Sequence, residues 1–441
     1  MSEEKTTHAN DPVPQAVQTG PNGATQWSFS RIWLVILYGF VAIAFTALWL
    51  WIYGWLDRTI WSNDFVLSHT WTIPVGVVFF SLLVGLSQKY LRAPTVIHGG
   101  FTELLRVGGH AKTDSSTFAG AFLSSYCSLL SGASVGPEGP LAFLIQDITT
   151  WLNEKLKVAG DAPFGLSIAA LASAFNGIVG SPVFTAVFAT EFQVGGKELS
   201  YAFLAWNLLA GAIGYLFFTL LKLPVFAQYI PFTPINSLTL PYVLYAILLG
   251  LVGSLLAIFI GGCFQFFGNV MAKFGDRVVL RTLVAGVIIA VVVFFVPEVM
   301  FAGARQIFPM INDPARFGVW LLLLFALLKI LLLALAFKSG YLGGPIFPTL
   351  FAATMVALAL HLLFPSVPLS ILVLCIESAA VGLLLGAPLT AILLVAVVGT
   401  YNPYSIALMC LATAMAMFVG AGFKRVMAQS TARKAAVPAE E

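Results

Sequence analysis

The sequence predicts an all-α polytopic membrane protein, built as two inverted-topology repeats with many short, broken helices. Three observations carry that prediction. Hydrophobic residues make up 59% of the 441 and charged residues only 9%, against about 25% charged in an ordinary soluble domain. Apolar runs fill the chain, yet many are short and cut by Gly and Pro. Two pairs of Gly/Pro motifs recur in the same order at nearly one offset.

The composition excludes whole classes. So large an apolar share cannot hide inside a globule whose surface must be largely polar. Disorder needs low hydrophobicity. Nucleic-acid binding needs a concentrated basic face, and the net charge here is only +3.

Taken in order, residues 1–30 are mostly polar, rich in Gly and Pro, and read as a disordered tail. They lack the basic start and apolar core of a secretory signal, so the first long apolar run, 32–56, is expected to direct insertion. A transmembrane domain over 31–425 follows, then a polar tail, 426–441. Long runs at 32–56, 72–88, 199–222, 241–268, 279–297 and 317–337 reach or approach the ~20 residues that cross the hydrocarbon layer. The other runs, at 117–135, 140–152, 163–180, 182–193, 346–364, 369–386, 388–399 and 405–422, are shorter. A helix of about 12 residues is only ~18 Å long and is expected not to span alone. Broken helices are tolerated in lipid only where their ends face protein or a water-filled cavity, so they imply an interior pathway.

Lys and Arg cluster in 89–112, in 273–281 and after 422. By the positive-inside rule these segments and both termini are cytoplasmic, in a cell (inner) membrane. Trp49, Trp51, Trp55 and Trp61 are expected to anchor the outer end of the first span. The four cysteines read as small hydrophobes, and the five scattered histidines suggest no metal site. No cofactor is expected.

The repeat is explicit. Residues 131–140 read SGASVGPEGP and residues 339–348 read SGYLGGPIFP. Aligned at an offset of 208 (339 less 131), Gly136 meets Gly344, Pro137 meets Pro345 and Pro140 meets Pro348. GSPVFTAV (180–187) and GAPLTAIL (386–393) then align at 206 (386 less 180). The two halves are 32–222 and 241–422. Interrupted segments at matching positions of two halves are the sequence pointer to a transport site.

A Gly-Pro-x-x-Pro helix start suits an anion. Gly permits close backbone approach, and Pro fits a first turn. The remaining first-turn N–H groups have no intrahelical acceptor and carry the positive end of the helix dipole. The candidate donors are the amides of Glu138, Gly139, Ile346 and Phe347, with Gly136, Pro137, Pro140, Gly344, Pro345 and Pro348 shaping the path. Such donors hold a monovalent anion without the full charge that would trap it. Glu138 is a carboxylate at one of these starts, in a position costly for a charge. It can occupy the anion's place and leave on protonation. Burial favours its neutral form and the amides its charged form, so it is placed to titrate. Glu191 is a candidate inner proton group. Asp147, Lys329 and Glu377 are expected to find partners or line an aqueous vestibule, and Lys329 is a candidate for attracting anions.

These residues resemble the CLC chloride channel and transporter family. GPEGP (136–140) is similar to its G-R-E-G-P motif and GPIFP (344–348) to its G-x-F-x-P motif, with GAPLTAILL (386–394) following in family order. The resemblance covers about 32–425. It implies a homodimer with one anion pathway per subunit, as channel or proton-coupled exchanger, with Glu138 as the gate and Glu138, Gly139, Ile346 and Phe347 as backbone donors. The chain departs from the family at LRAPTV (91–96), where a G-S-G-I-P motif is expected. The inner proton glutamate falls on Phe192, beside Glu191, and no Tyr matches the inner-gate tyrosine.

The expected function is transport of a small monovalent anion, chloride first, through a pathway lined by helix starts and gated by Glu138. A fluoride-selective anion/proton exchanger of the same fold is the alternative. Outside transport stand a non-conducting sensor or scaffold and a membrane enzyme. The last lacks any visible cluster of catalytic groups.

Overall fold

The apolar runs form helices, and the Gly and Pro between them form the joints. A computed structural model describes residues 31–94, 117–158, 162–191, 203–223, 225, 230, 232–399 and 402–436. The readings for residues 1–30, for Phe192 and for most of 89–112 fall outside these.

The first half holds α1 (Ile32–Trp61), α2 (Asp64–Ser68), α3 (Thr72–Tyr90), α4 (Phe118–Leu130), α5 (Glu138–Leu156), α6 (Ala162–Val179), α7 (Phe184–Glu191) and α8 (Leu204–Leu220). The second holds α9 (Leu240–Ala272), α10 (Val278–Phe295), α11 (Ile307–Asn312), α12 (Pro314–Ser339), α13 (Ile346–Leu363), α14 (Leu369–Leu385), α15 (Pro388–Val398) and α16 (Pro403–Ala436). Among the described residues, eight helical segments are long and apolar enough to cross a membrane. Three of them, α6, α13 and the part of α16 up to Val426, arise from runs expected to be too short. Single residues such as Asn176, Thr354 and His361 dilute the apolar pattern without breaking the backbone ladder. The last helix also runs past residue 426 to Ala436.

The packing repeats between halves. Helices α1, α6 and α8 pack mutually, and so do their counterparts α9, α14 and α16. Counterparts also meet each other directly: α3 packs on α10, and α7 on α15. Contacts between equivalent elements must lie along the two-fold axis that relates the halves. Gly136 and Gly344, equivalent by sequence, form the tightest of them. They pair antiparallel, the Gly136 N–H donating to the Gly344 carbonyl at 2.9 Å and the Gly344 N–H to the Gly136 carbonyl at 2.8 Å.

Glycine conformation marks the same symmetry. Gly132 (φ +71°) and Gly340 (φ +97°) end the helices before the first pair of junctions. Gly180 (φ +74°) and Gly386 (φ +70°) end those before the second. All four turn through the left-handed region that favours Gly.

Helix α6 is the innermost span, 94% buried, with Ala, Ser and Gly around its circumference. Small residues let membrane helices approach closely. A Cβ on Gly214 of α8 would run into the Ser173 backbone of α6.

The tryptophan belt needs correction. Trp51 and Trp55 are exposed, but Trp49 is buried. Its ring stacks on Tyr126 at 5.0 Å between centroids, and the Tyr126 hydroxyl donates to its carbonyl. Trp61 packs edge-on to Phe301. Trp49 is one helical turn from Tyr53, so it follows the inward stripe of α1, whereas Trp51 faces outward.

Candidate functional site

The two Gly-Pro junctions meet at the centre of the fold. Helix α5 begins at Glu138 and α13 at Ile346, with Pro137 and Pro345 as their N-cap residues. Pro140 and Pro348 lie in the first turns, where a missing N–H costs no helix bond. Neither N-cap side chain accepts a hydrogen bond, so the first amides of both helices are left for another acceptor.

Glu138 is that acceptor for α13. It is buried, 2% exposed, and its carboxylate crosses from one repeat to the other. Oε1 accepts the Ile346 N–H at 2.8 Å, and the amides of Phe347 and of Glu138 itself add to that pull. Oε2 is buried with no hydrogen-bond partner. Three of the four donors named from sequence thus converge on one carboxylate. The fourth, Gly139, serves by lacking a side chain: a Cβ there would strike the Gly343 carbonyl. Gly136 and Gly344 do likewise, since a Cβ on either would collide with the Glu138 carboxyl.

The loops are braced from both halves. The Leu342 N–H donates to Ser128 Oγ at 3.0 Å, and the Ser134 hydroxyl donates to the Val299 carbonyl at 3.1 Å. Gln88 donates to the Gly340 carbonyl at 2.5 Å and Arg281 Nε to that of Ser339 at 3.1 Å. These close the C-terminus of α12, where donors and positive charge are favoured.

The other intramembrane charges separate. Lys329 is fully buried. Its ammonium donates to the carbonyls of Val299 (3.1 Å), Met300 (3.1 Å) and Phe301 (2.6 Å) and lies over the Phe351 ring at 4.6 Å. All three of its protons are therefore used. Glu191 reaches the second junction instead of Glu138. Its carboxylate accepts the Leu389 N–H at 2.7 Å, the Thr390 N–H at 2.7 Å and the Thr390 hydroxyl at 2.6 Å. It thereby caps α15 as Glu138 caps α13. Asp147 is buried on α5 with neither oxygen partnered.

A cavity of about 420 Å³ opens beside the C-terminal part of α1, lined among others by Asp57, Arg58, Phe301, Gly303 and Arg305. Arg305 and Asp57 pair across it at 2.7 Å. A second void, about 30 Å³, shares Gly303 and Ala304 with it and reaches Phe347, Phe351 and Glu377. Sequence reasoning expected Glu377 to find a partner or line an aqueous vestibule, without saying which. As a lone carboxyl in an apolar run it carried the same signal as Glu138, without a motif.

The voltage gated chloride channel family model matches residues 103–421. The chain belongs to that family. Among similar proteins, an uncharacterized protein of Methanocaldococcus jannaschii, MJ0305, is 26% identical over 228 residues. That match covers 50% of this chain and 54% of the relative, so the chain spans about half of the relative's length. The candidate ion-transport protein YfeO of Escherichia coli O7:K1 is 24% identical over 352 residues, covering 78% of this chain and 79% of that protein. Two solved structures share the fold. A CLC-type fluoride/proton antiporter superposes with a TM-score of 0.71 at 18% identity, covering 90% of this chain and 96% of its own. A slow cyanobacterial Cl⁻/H⁺ antiporter gives 0.74 at 17%, covering 88% and 94%. The protein is thus a multi-pass membrane protein of this family.

Proposed function

We propose that the protein carries a small monovalent anion, chloride in the first reading, past the paired starts of α5 and α13, with Glu138 as gate. One observation carries this: a carboxylate from one repeat sits on the bare N-terminus of a helix from the other, at 2.8 Å. A group that a helix start holds as an anion marks where a free anion is held. Only the charged carboxylate is strongly attracted to the amides. Protonation removes that attraction, and the same donors then receive the travelling ion. Conduction rises as pH falls, because acid fills the proton site of the gate.

Fluoride stands beside chloride as cargo, because backbone amides serve either ion and the similar folds include an exchanger of each kind. Glu191 is the inner proton group in this reading. The subunit pairs with a second copy, each with its own path, in a cell membrane with both termini cytoplasmic. No reaction chemistry is assigned.

The test is anion efflux from proteoliposomes with simultaneous pH recording, using chloride and fluoride in parallel. Wild-type protein is expected to release one of them, faster in acid. Glu138→Gln is expected to keep the flux and lose its pH dependence. Glu191→Gln is expected to lower proton movement per anion. Efflux unaltered by Glu138→Gln at every pH removes the gate, and no efflux of either ion leaves a non-conducting sensor.

A further inference from the structure

Glu377 lies in α14, 1% exposed, with no ion-pair partner among the described residues. A buried bare carboxylate is costly. Its surroundings show how the cost is avoided. Thr354 Oγ1 is 2.6 Å from Glu377 Oε1 and 3.0 Å from the Leu350 carbonyl. A hydroxyl has one proton to donate and a carbonyl has none, so the three groups admit two arrangements. With the carboxyl neutral, its O–H donates to Thr354 Oγ1, and the Thr354 proton goes to Leu350. With the carboxyl ionised, the Thr354 proton turns to Glu377, and the Leu350 carbonyl loses that bond. The arrangements differ by one proton and one hydroxyl rotation.

Space for that proton to leave lies beside the carboxyl. Glu377 lines the 30 Å³ void, which has room for one or two waters on a threshold of roughly 10–15 Å³ each. Glu377 Oε2 is buried and unpartnered. Gly303 and Ala304 line both the void and the large cavity that holds Asp57, Arg58 and Arg305, so the two spaces are one residue layer apart. Phe347, whose amide acts on Glu138, forms its other wall.

We propose that Glu377 is a second proton-binding group of this protein, exchanging protons with water from the Arg305 cavity and placed behind the helix start that Glu138 occupies. The proposal rests on the transport reading for its purpose. A charged Glu377 opposes an anion at Phe347, and a neutral one does not, so anion passage on this side is linked to a second proton. The charged groups around it are few. On α12, Lys329 lies over Phe351, which shares the void, and its protons are spent on carbonyls. On α13 the facing polar group is Thr354. Glu138 of α5 lies beyond Phe347. Helices α9 and α16 meet α14 through Gly253 and Thr413, and α15 meets it through Ala391 and Pro388, all uncharged.

The experiment pairs infrared spectroscopy with flux on the purified full chain. Acid-minus-alkaline difference spectra of Glu138→Gln protein are expected to keep a protonated-carboxyl band that the double variant with Glu377→Gln loses. With Glu138 intact, Glu377→Gln is expected to lower proton movement per anion roughly tenfold or more, as for loss of a positioned proton-transfer group. Thr354→Val, which removes the hydroxyl, is expected to shift the band. An identical band in single and double variants overturns the proposal, and so does an unchanged proton-to-anion ratio in Glu377→Gln. Neither result touches the gate, which Glu138→Gln tests alone. The glutamine keeps the size and the hydrogen bond to Thr354, and monodisperse elution of each variant confirms folding.

Discussion

Glu138 does its work because its neighbours lack side chains. Gly136 and Gly344 leave the space its carboxyl fills, and a Cβ on either would overlap it. Gly344→Ala is therefore expected to push the carboxylate off the Ile346 amide. Anion efflux at neutral pH should rise toward the acid rate, and the pH profile should flatten. Efflux with wild-type pH dependence in that variant would mean that the carboxyl is not what closes the path. Most of this geometry was legible beforehand, because the motif letters name both the helix starts and the empty space between them. Two things were not. Gly139 was read as a donor, and its close contact with the Gly343 backbone was not foreseen. Glu377 was seen, but its proton relay depends on Thr354 being brought across from another helix, which no local pattern encodes.

The helix joints show a different economy. The segment 299–301 follows α10 outside its regular ladder, and its carbonyls are largely buried, where unpaired polar groups are costly. Lys329 satisfies three of them from α12, and the Phe301 N–H returns to the Gly132 carbonyl at 3.1 Å. The lysine thus holds the wall of the Arg305 cavity against the first-half loop. Lys329→Met is expected to lower the temperature at which detergent-solubilised protein loses its monodisperse peak. Val299 keeps the Ser134 hydroxyl, while the Met300 and Phe301 carbonyls are orphaned at about 1–3 kcal/mol each, partly offset by no longer burying an ammonium. A melting temperature equal to wild type would show that the loop stands without it. Sequence reading expected Lys329 to find partners or line a vestibule, with attraction of anions as a further candidate role, but could not name the partners, because carbonyls from a distant loop leave no trace in local spacing. The partners of Glu191 were hidden in the same way: Leu389 and Thr390 are nearly 200 residues away. Trp49 was misplaced because aromatic clustering alone does not say which face of a helix turns inward.

Across the molecule, the paired glycine turns and the contacts between counterpart helices set the two halves about one axis. That much was legible from two motif pairs at offsets of 208 and 206 residues. Which runs span was less so: 163–180 and 346–364 form unbroken helices of 18 residues each, because the Gly, Pro and polar residues within them do not interrupt the backbone ladder. The reciprocal Gly136–Gly344 bonds put the axis beside the proposed gate, so position 138 in one half corresponds to 346 in the other. One holds Glu and the other Ile. The frame is nearly the same viewed from either face of the bilayer, but its latch is fitted to only one leaf of the door. Any sidedness in how acid opens the path then begins with that unlike pair. Exchanging them, as Glu138→Ile with Ile346→Glu, is expected to move acid sensitivity to the opposite face, measured with impermeant buffers on each side of oriented vesicles. Sensitivity that stays put would place the handedness elsewhere in the walls.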